Sequence, residues 1–436
     1  MLGSSIEGCV TSMRVLLISG NREDAAIRVP ALGLACIAAA CEKAGHRVHL
    51  LDFLVEGDPQ TAVKSAIGNF HPEVIGISVR NIDDQRMRNP RFLLDQARDA
   101  VDWCRQSTTV PLILGGAAFS ILPRPILEYL RADMGIQGEG ETIFPDLLRR
   151  LERGETLDGL PGLFQKGKTV PVKRIFAKDL DSLVLPHPSL IARTLEGAED
   201  APVPVQTRRG CPFSCSYCST PTIEGQAVRW RSPESIVNWL SQWVREGFRN
   251  FYFVDNTFNL PPSYAMQLCS KISEADLDIS WRCIIYPGGL NPELIEALAR
   301  AGCSEVALGF ESGSEGIIRL MNKQFTLDDI RRASELLRRN NIRRMGFLLL
   351  GGPGETRKSV EQSLDFAESL ELDAVKLSVG IRIYPHTKLA QLALDDGLIS
   401  TDADLLHPRF YVANSLEDWL YERVEACLSD HPNWML

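Results

Sequence analysis

The 436-residue chain has no long apolar run. Its best candidate, Leu32 to Cys41, falls short of the ~18 residues a membrane span needs and stops at Glu42 and Lys43, so no membrane span is expected. There is no basic segment at the start. Residues 1–12 are small and polar with Glu7, unlike a secretory signal, and read as a leader or a start placed ahead of a first strand at Met13 to Ile18. Positive charge is not in excess: 47 Lys and Arg stand against 56 Asp and Glu, a formal charge of −9, which disfavours nucleic acid as a partner. Cysteine is too sparse for a disulfide scaffold. Eleven cysteines cannot all pair, and they read as reduced thiols of a cytoplasmic protein. What is present, 44% hydrophobic and 24% charged residues, is ordinary globular usage and excludes extended disorder, collagen-like repeats and a long coiled coil.

Short apolar runs alternate with helical spacings along most of the chain. Val15 to Ile18, Val48 to Leu51, Val74 to Val79, Val110 to Leu114 and Met134 to Gln137 read as strands, with helices between them, for example Leu32 to Ala44 and Phe92 to Arg105. That pattern predicts an α/β domain over 13–150, a doubly wound, Rossmann-like parallel sheet. Over 151–200 the rhythm fails among Gly154, Pro161, Gly162, Pro171, Pro186 and Pro188, which reads as a linker. From 201 to 385 six strands alternate with five helices, predicting a (βα)6 partial TIM barrel with its chemistry at the carboxyl ends of the strands. Residues 386–436 read as a helical tail.

Cys211, Cys215 and Cys218 follow the first strand of this second half, in Arg209-Gly210-Cys211-Pro212-Phe213-Ser214-Cys215-Ser216-Tyr217-Cys218. Three thiolates at spacings of four and three can wrap one soft metal centre from a single loop. A zinc knuckle wants a fourth Cys or His, and none follows within the next fifty residues. A 4Fe-4S cluster with three ligands leaves one iron open to a small molecule.

This loop, at the head of a (βα)6 run, resembles the radical S-adenosylmethionine (SAM) superfamily. The resemblance implies that Cys211, Cys215 and Cys218 hold a 4Fe-4S cluster, that SAM binds the open iron, and that reduction cleaves SAM to a 5'-deoxyadenosyl radical for C–H activation. Phe251 to Phe258, with Asp255 and Asn256, is similar to the second-strand segment of that superfamily, and Gly309-Phe310-Glu311-Ser312-Gly313 to its fourth-strand motif. Met321-Asn322-Lys323 and Gly351-Gly352-Pro353-Gly354-Glu355-Thr356 fit the same subgroup. By resemblance the SAM-binding residues are Tyr217, Asp255, Asn256, Glu311, Gly351 and Gly352; for the two glycines a plain strand-to-helix turn is an equal alternative. The sequence departs from many relatives at the end of the third strand, where Tyr286-Pro287-Gly288-Gly289 replaces an arginine and points to a family-specific pocket.

The N-terminal domain resembles the cobalamin-binding domain found ahead of many radical SAM cores, through Pro30 to Ala35, Ala44-Gly45-His46, Leu51-Asp52, Val74 to Val79, Gly115-Gly116-Ala117 and Gly138-Glu139-Gly140-Glu141. The cobalamin contacts this implies are Leu32, Gly33, Ser78, Arg80, Asn81, Gly115, Gly116, Gly138 and Glu139. The loop that elsewhere supplies a histidine to cobalt reads Asn21-Arg22-Glu23-Asp24-Ala25-Ala26 and has none. Either cobalamin is held without a protein histidine or the domain is a structural lid. The expected protein is a cobalamin-dependent radical SAM enzyme, most readily a methyltransferase acting on an unactivated carbon of a small molecule, with a reductant such as flavodoxin or ferredoxin. The alternatives are a non-methylating radical cyclase or oxidase, and a cluster- or cobalamin-binding sensor without turnover.

Overall fold

The computed structural model describes residues 12–20, 22, 29–168, 173–198, 201–401, 405–417 and 419–436. Most of the loop read as lacking a cobalt-ligating histidine lies outside the described residues. In the N-terminal half, β1 (Arg14–Ser19), β2 (Arg47–Asp52), β3 (Val74–Ser78), β4 (Leu112–Gly115) and β5 (Met134–Ile136) pair in parallel in the order β2-β1-β3-β4-β5. The central strands are apolar on both faces, with Val15, Leu16, Ile18 and Ile75 fully buried, because helices cover both sides of the sheet. α1 (Leu32–Lys43) and α2 (Gly140–Arg153) pack together on one face, and the helices Pro59–Phe70 and Leu94–Ser107 on the other. Strand order reverses between β1 and β3, which opens a crevice at their carboxyl ends.

The stretch 151–200, read as a linker, begins differently. Leu163–Gln165 (β6) pairs antiparallel with β5 and becomes the edge of the same sheet. Its two apolar side chains cause this: Leu163 and Phe164 are buried, and Phe164 meets the Phe119 ring edge-on with centroids 6.1 Å apart.

The second sheet contains β7 (Val203–Val205), β8 (Asn250–Phe253), β9 (Ser280–Ile285), β10 (Cys303–Glu311), β11 (Arg343–Leu350) and β12 (Ala374–Val379), parallel and in chain order. The helices between them start at chemically marked positions. Ser232, Asn291, Thr326 and Thr356 each accept a backbone N–H of the first turn, and Pro occupies an early position after Ser232 and Asn291. Residues 386–436 are more than a helical tail. After the helix Leu420–Asp430, Trp434–Met435 (β13) adds a seventh parallel strand beside β12, anchored by the buried Trp434 ring stacked on His431 at 4.4 Å. Phe410–Tyr411 pairs antiparallel with Ile381–Arg382.

A buried ion pair fastens the two halves: Arg382 Nε lies 2.8 Å from Asp83 Oδ2, with both side chains almost fully excluded from solvent. Two further guanidinium bonds go to the carbonyls of Ile383 and Leu405. Removing one member of such a pair strands the other charge. Asp83→Ala should lower the unfolding free energy by about 3–5 kcal/mol, measured by denaturant titration, whereas adding Arg382→Met should recover most of the loss. No recovery in the double variant would rule out the pair as the fastening.

Candidate active site: a three-cysteine loop beside an interdomain cavity

The loop that carries the cysteines leaves the end of β7 and is held at each step by hydrogen bonds. The buried Asp255 carboxylate, just past β8, accepts the N–H of Thr207 (2.8 Å), the N–H of Arg208 (3.1 Å) and the Thr207 hydroxyl (2.6 Å). Gly210 N–H donates to Glu224 Oε2 at 3.1 Å, and Cys211 N–H to the Gly225 carbonyl at 3.1 Å. Glu224 closes a short helix, α3 (Thr220–Glu224). On the far side, Ser216 N–H donates to the Met321 carbonyl, Leu389 N–H to the Ser216 carbonyl, and Asn322 Nδ2 to both oxygens of Ser214. Phe213 stacks on Tyr286 at 4.1 Å and 19°, and the Tyr286 hydroxyl accepts the Gln324 N–H at 2.6 Å. Tyr286 therefore braces the loop through its ring.

Cys211 is buried, and Cys215 and Cys218 are half-buried; all three are free thiols. Burial pushes the Cys211 thiol up to about 11 and raises that of Cys215, and the neighbouring thiols add to both effects. Thiols held protonated in this way at Cys211 and Cys215 suit a cationic centre that would receive them as thiolates. Among the described residues no three His, Cys, Asp or Glu side chains are gathered so as to hold a single metal ion. Three cysteines of one loop, with no fourth Cys or His in the fifty residues that follow, fit a cluster that takes three protein ligands better than a mononuclear zinc site.

Two of the residues predicted for SAM meet beside this loop. A register shift between Leu308 and Glu311 interrupts β10, and Glu311 takes a left-handed φ of 66° that turns its side chain to Lys323, with Oε1 3.1 Å from Nζ. Lys323 Nζ lies 5.5 Å from the centre of the Tyr217 ring. Burial works against the ammonium, but Glu311, Tyr217 and Cys215 hold its pKa well above the ordinary lysine value.

The other predicted SAM residues are engaged elsewhere. Asp255 faces inward and holds the start of the loop; burial raises its pKa, opposed by Arg208. Asn256 donates to Glu224 Oε2 at 2.7 Å. The N–H groups of Gly351 and Gly352 both point at Glu355 Oε2, so the turn is closed on its own carboxylate. Asp255 and the N–H groups of Gly351 and Gly352 thus each make bonds within the protein.

Between the halves lies a cavity of about 390 Å³. Its floor is the carboxyl ends of β1, β3, β4 and β5, and its opposite wall contains Pro204, Gln206, Arg209 and Val254 from the barrel. Leu32, Gly33, Ser78 and Arg80 line it, as do Gly115, Gly116, Gly138 and Glu139. At Gly116, with φ 103°, a side chain would collide with the Val79 backbone, so β3 and β4 can end side by side only with glycine there. Asn81 is exposed and not part of the lining, because the chain has by then left the sheet; Ile82 turns into the apolar core of the N-terminal half and Asp83 toward Arg382. Sequence reasoning did not single out Arg209, Glu141 or Glu224, which line the cavity, or Lys323. Arg209, Glu141 and Lys323 lie within the quoted motifs, but Arg209 and Glu141 are 68 positions apart and belong to different halves.

An α/β sheet with a ligand-sized crevice, followed by a parallel barrel whose first strand ends in a three-cysteine loop, defines a two-cofactor protein. Residues 19–148 match the B12 binding domain, and residues 205–367 match the Radical SAM superfamily. The chain therefore carries a radical SAM domain preceded by a B12-binding domain. It is 28% identical over 400 residues to an uncharacterized methyltransferase of Pyrococcus horikoshii, covering 89% of this chain and 85% of the relative. It is 24% identical over 443 residues to the tryptophan 2-C-methyltransferase of Streptomyces laurentii, covering 86% and 74%. The solved structure of the radical SAM methyltransferase TsrM from Kitasatospora setae, with cobalamin and a 4Fe-4S cluster bound, shares the fold with a TM-score of 0.86, at 21% identity over 98% of this chain and 93% of that one. The radical SAM domain implies a 4Fe-4S cluster and SAM, and the B12-binding domain implies cobalamin. No helix among the described residues is long and apolar enough to cross a membrane.

Replacing Cys211, Cys215 and Cys218 together by Ala should reduce iron bound after anaerobic reconstitution to background, with an unchanged far-UV spectrum. A second outcome concerns pH. Burial lifts the Glu355 carboxyl from 4.5 to about 7, so the folded chain keeps a proton there that the unfolded chain has released. Between about pH 4.5 and 7 this group therefore lowers stability as pH rises, by about 1.4 kcal/mol per unit. Glu355→Gln should remove that slope from the unfolding free energy measured across the same window.

Proposed function

We propose that this chain is a cobalamin-dependent radical SAM methyltransferase that acts on an unactivated carbon of a small organic molecule. The observation that carries the reading is the cavity at the carboxyl ends of the B12-binding sheet, whose far wall includes Arg209, two residues before the first loop cysteine. When bound, the cluster supplies the electron that cleaves SAM, and cobalamin carries the methyl group between donor and substrate.

The chain's own contribution is binding, orientation and exclusion of water. Cys211, Cys215 and Cys218 would hold the cluster as thiolates, with three ligands only. Glu311, neutralised by Lys323, and Tyr217 present a polar edge beside Cys215 suited to the charged groups of SAM. Asn256 and the Gly351-Gly352 turn border that region as shape. Leu32, Gly33, Gly115, Gly116 and Gly138 give the cavity the flat, close-approach surface a corrin needs, while Ser78, Arg80 and Glu139 supply polar contacts for its amide fringe. The free thiols, ten among the described residues, support a reducing, cytoplasmic setting with a flavodoxin- or ferredoxin-like reductant, and the net charge of −9 disfavours nucleic acid as substrate.

Anaerobic reconstitution with iron, sulfide and cobalamin, followed by reduction in the presence of SAM, tests the reading. The expected outcome is an iron–sulfur absorption band, a corrin spectrum retained through gel filtration, and reductive SAM turnover in the parent but not in the triple cysteine variant. A parent that binds zinc and cleaves no SAM would sink the assignment; a parent that cleaves SAM but retains no corrin would remove cobalamin-borne methyl transfer.

A further inference from the structure

Four charged side chains bridge the cavity wall and the cysteine loop. Arg209 pairs with Glu141 through Nη2 and lies 3.5 Å from Glu139 through Nη1; Arg229 Nη1 is 2.6 Å from the same Glu139 oxygen. All four side chains are about nine-tenths buried, at 6% to 11% exposure. Glu139 and Glu141 belong to the B12-binding half, at the start of α2, and Arg209 and Arg229 to the barrel. Both glutamates and Arg209 line the cavity, and so does Glu224, which holds the Gly210 N–H.

This seam has little freedom to adjust piecemeal. Gly210, between Arg209 and Cys211, has φ 90°, and any side chain there would run into the Ala227 carbonyl, so the backbone is wedged against its neighbour. A shift of Arg209 must pass into Cys211. Breaking one contact at a time would leave a buried charge without its partner, so intermediate arrangements are disfavoured.

We propose that the Glu141–Arg209–Glu139–Arg229 seam couples the two cofactor sites, so that loading the cysteine loop favours cobalamin in the cavity and cobalamin favours the loaded loop. The inference rests on the cofactor reading above. The seam shifts only as a unit, so the arrangement of Arg209 and Gly210 that the loaded loop selects also sets the carboxylates of the cavity wall that the second cofactor meets. Such coupling is reciprocal and of the usual size, about 5- to 150-fold in affinity. Arg209 and Glu141 are positioning residues here, acting through the loop and the wall.

The test measures the affinity of the full chain for aquacobalamin by absorbance, anaerobically, with the cluster reconstituted and with iron removed by chelation. The parent should bind cobalamin at least about fivefold more tightly when the cluster is present. In Glu141→Gln both cofactors should still bind, but that ratio should fall to near one. The exchange Glu141→Arg with Arg209→Glu should restore part of it, and Arg229→Gln, outside the cavity lining, serves as the second variant if Glu141→Gln does not fold. Cobalamin should also perturb the electron paramagnetic resonance signal of the reduced cluster in the parent and not in the uncoupled variant. Equal affinities in the parent with and without the cluster, or an undiminished ratio in the variants, would overturn the coupling while leaving the cofactor reading intact. A parent that binds neither cofactor would overturn both.

Discussion

The Asp255 carboxylate is the point from which the cysteine loop takes its position. It stands just beyond β8, is excluded from solvent, and gathers two N–H groups and a hydroxyl from Thr207 and Arg208 just past β7. A buried carboxylate is tolerable only with such partners. The requirement therefore runs in both directions: the loop must start where it does to satisfy Asp255, and β7 and β8 must be adjacent for the two to meet. The downstream braces, from Glu224 on one side to Met321, Asn322, Leu389 and Tyr286 on the other, act on a loop whose origin is already set.

Buried charges cross the boundary between the two halves. Arg382 with Asp83 and the Glu139, Glu141, Arg209, Arg229 seam are both nearly dry. Charges of this kind add little net stability, because desolvation offsets most of the attraction. Their effect is geometric: an apolar boundary tolerates small slides, whereas a guanidinium that must satisfy particular oxygens does not. For a chain that must present one cofactor site to another, a boundary that resists sliding is the useful property.

Much of this was readable from the chain. The central strands announce themselves because parallel strands covered on both faces need near-continuous apolar runs, as in Val15 to Ile18 and, with only Gly76 between, Val74 to Ile77. The edge strands β6 and β13 left too few residues to carry a pattern, and they form only because Phe164 and Trp434 find rings to pack against. Glu311 was legible as a strand-end carboxylate between glycines, but the register shift that turns it toward Lys323 was not. Asp255 and the Gly351-Gly352 turn occupy the expected strand ends, yet their polar atoms are taken by Thr207, Arg208 and Glu355, since a residue's place in a motif does not reveal which way its hydrogen bonds run.

The sequence by itself determined the order of α/β units and the three-cysteine loop, because both depend on local spacing: a period of apolar residues, and three thiols within eight consecutive positions. Only the tertiary structure decided which distant charges meet. Glu141 and Arg209 are 68 positions apart, and Asp83 and Arg382 are 299 apart. Such pairs form when the summed packing of two sheets brings the ends of their strands together, and local spacing carries no record of that sum.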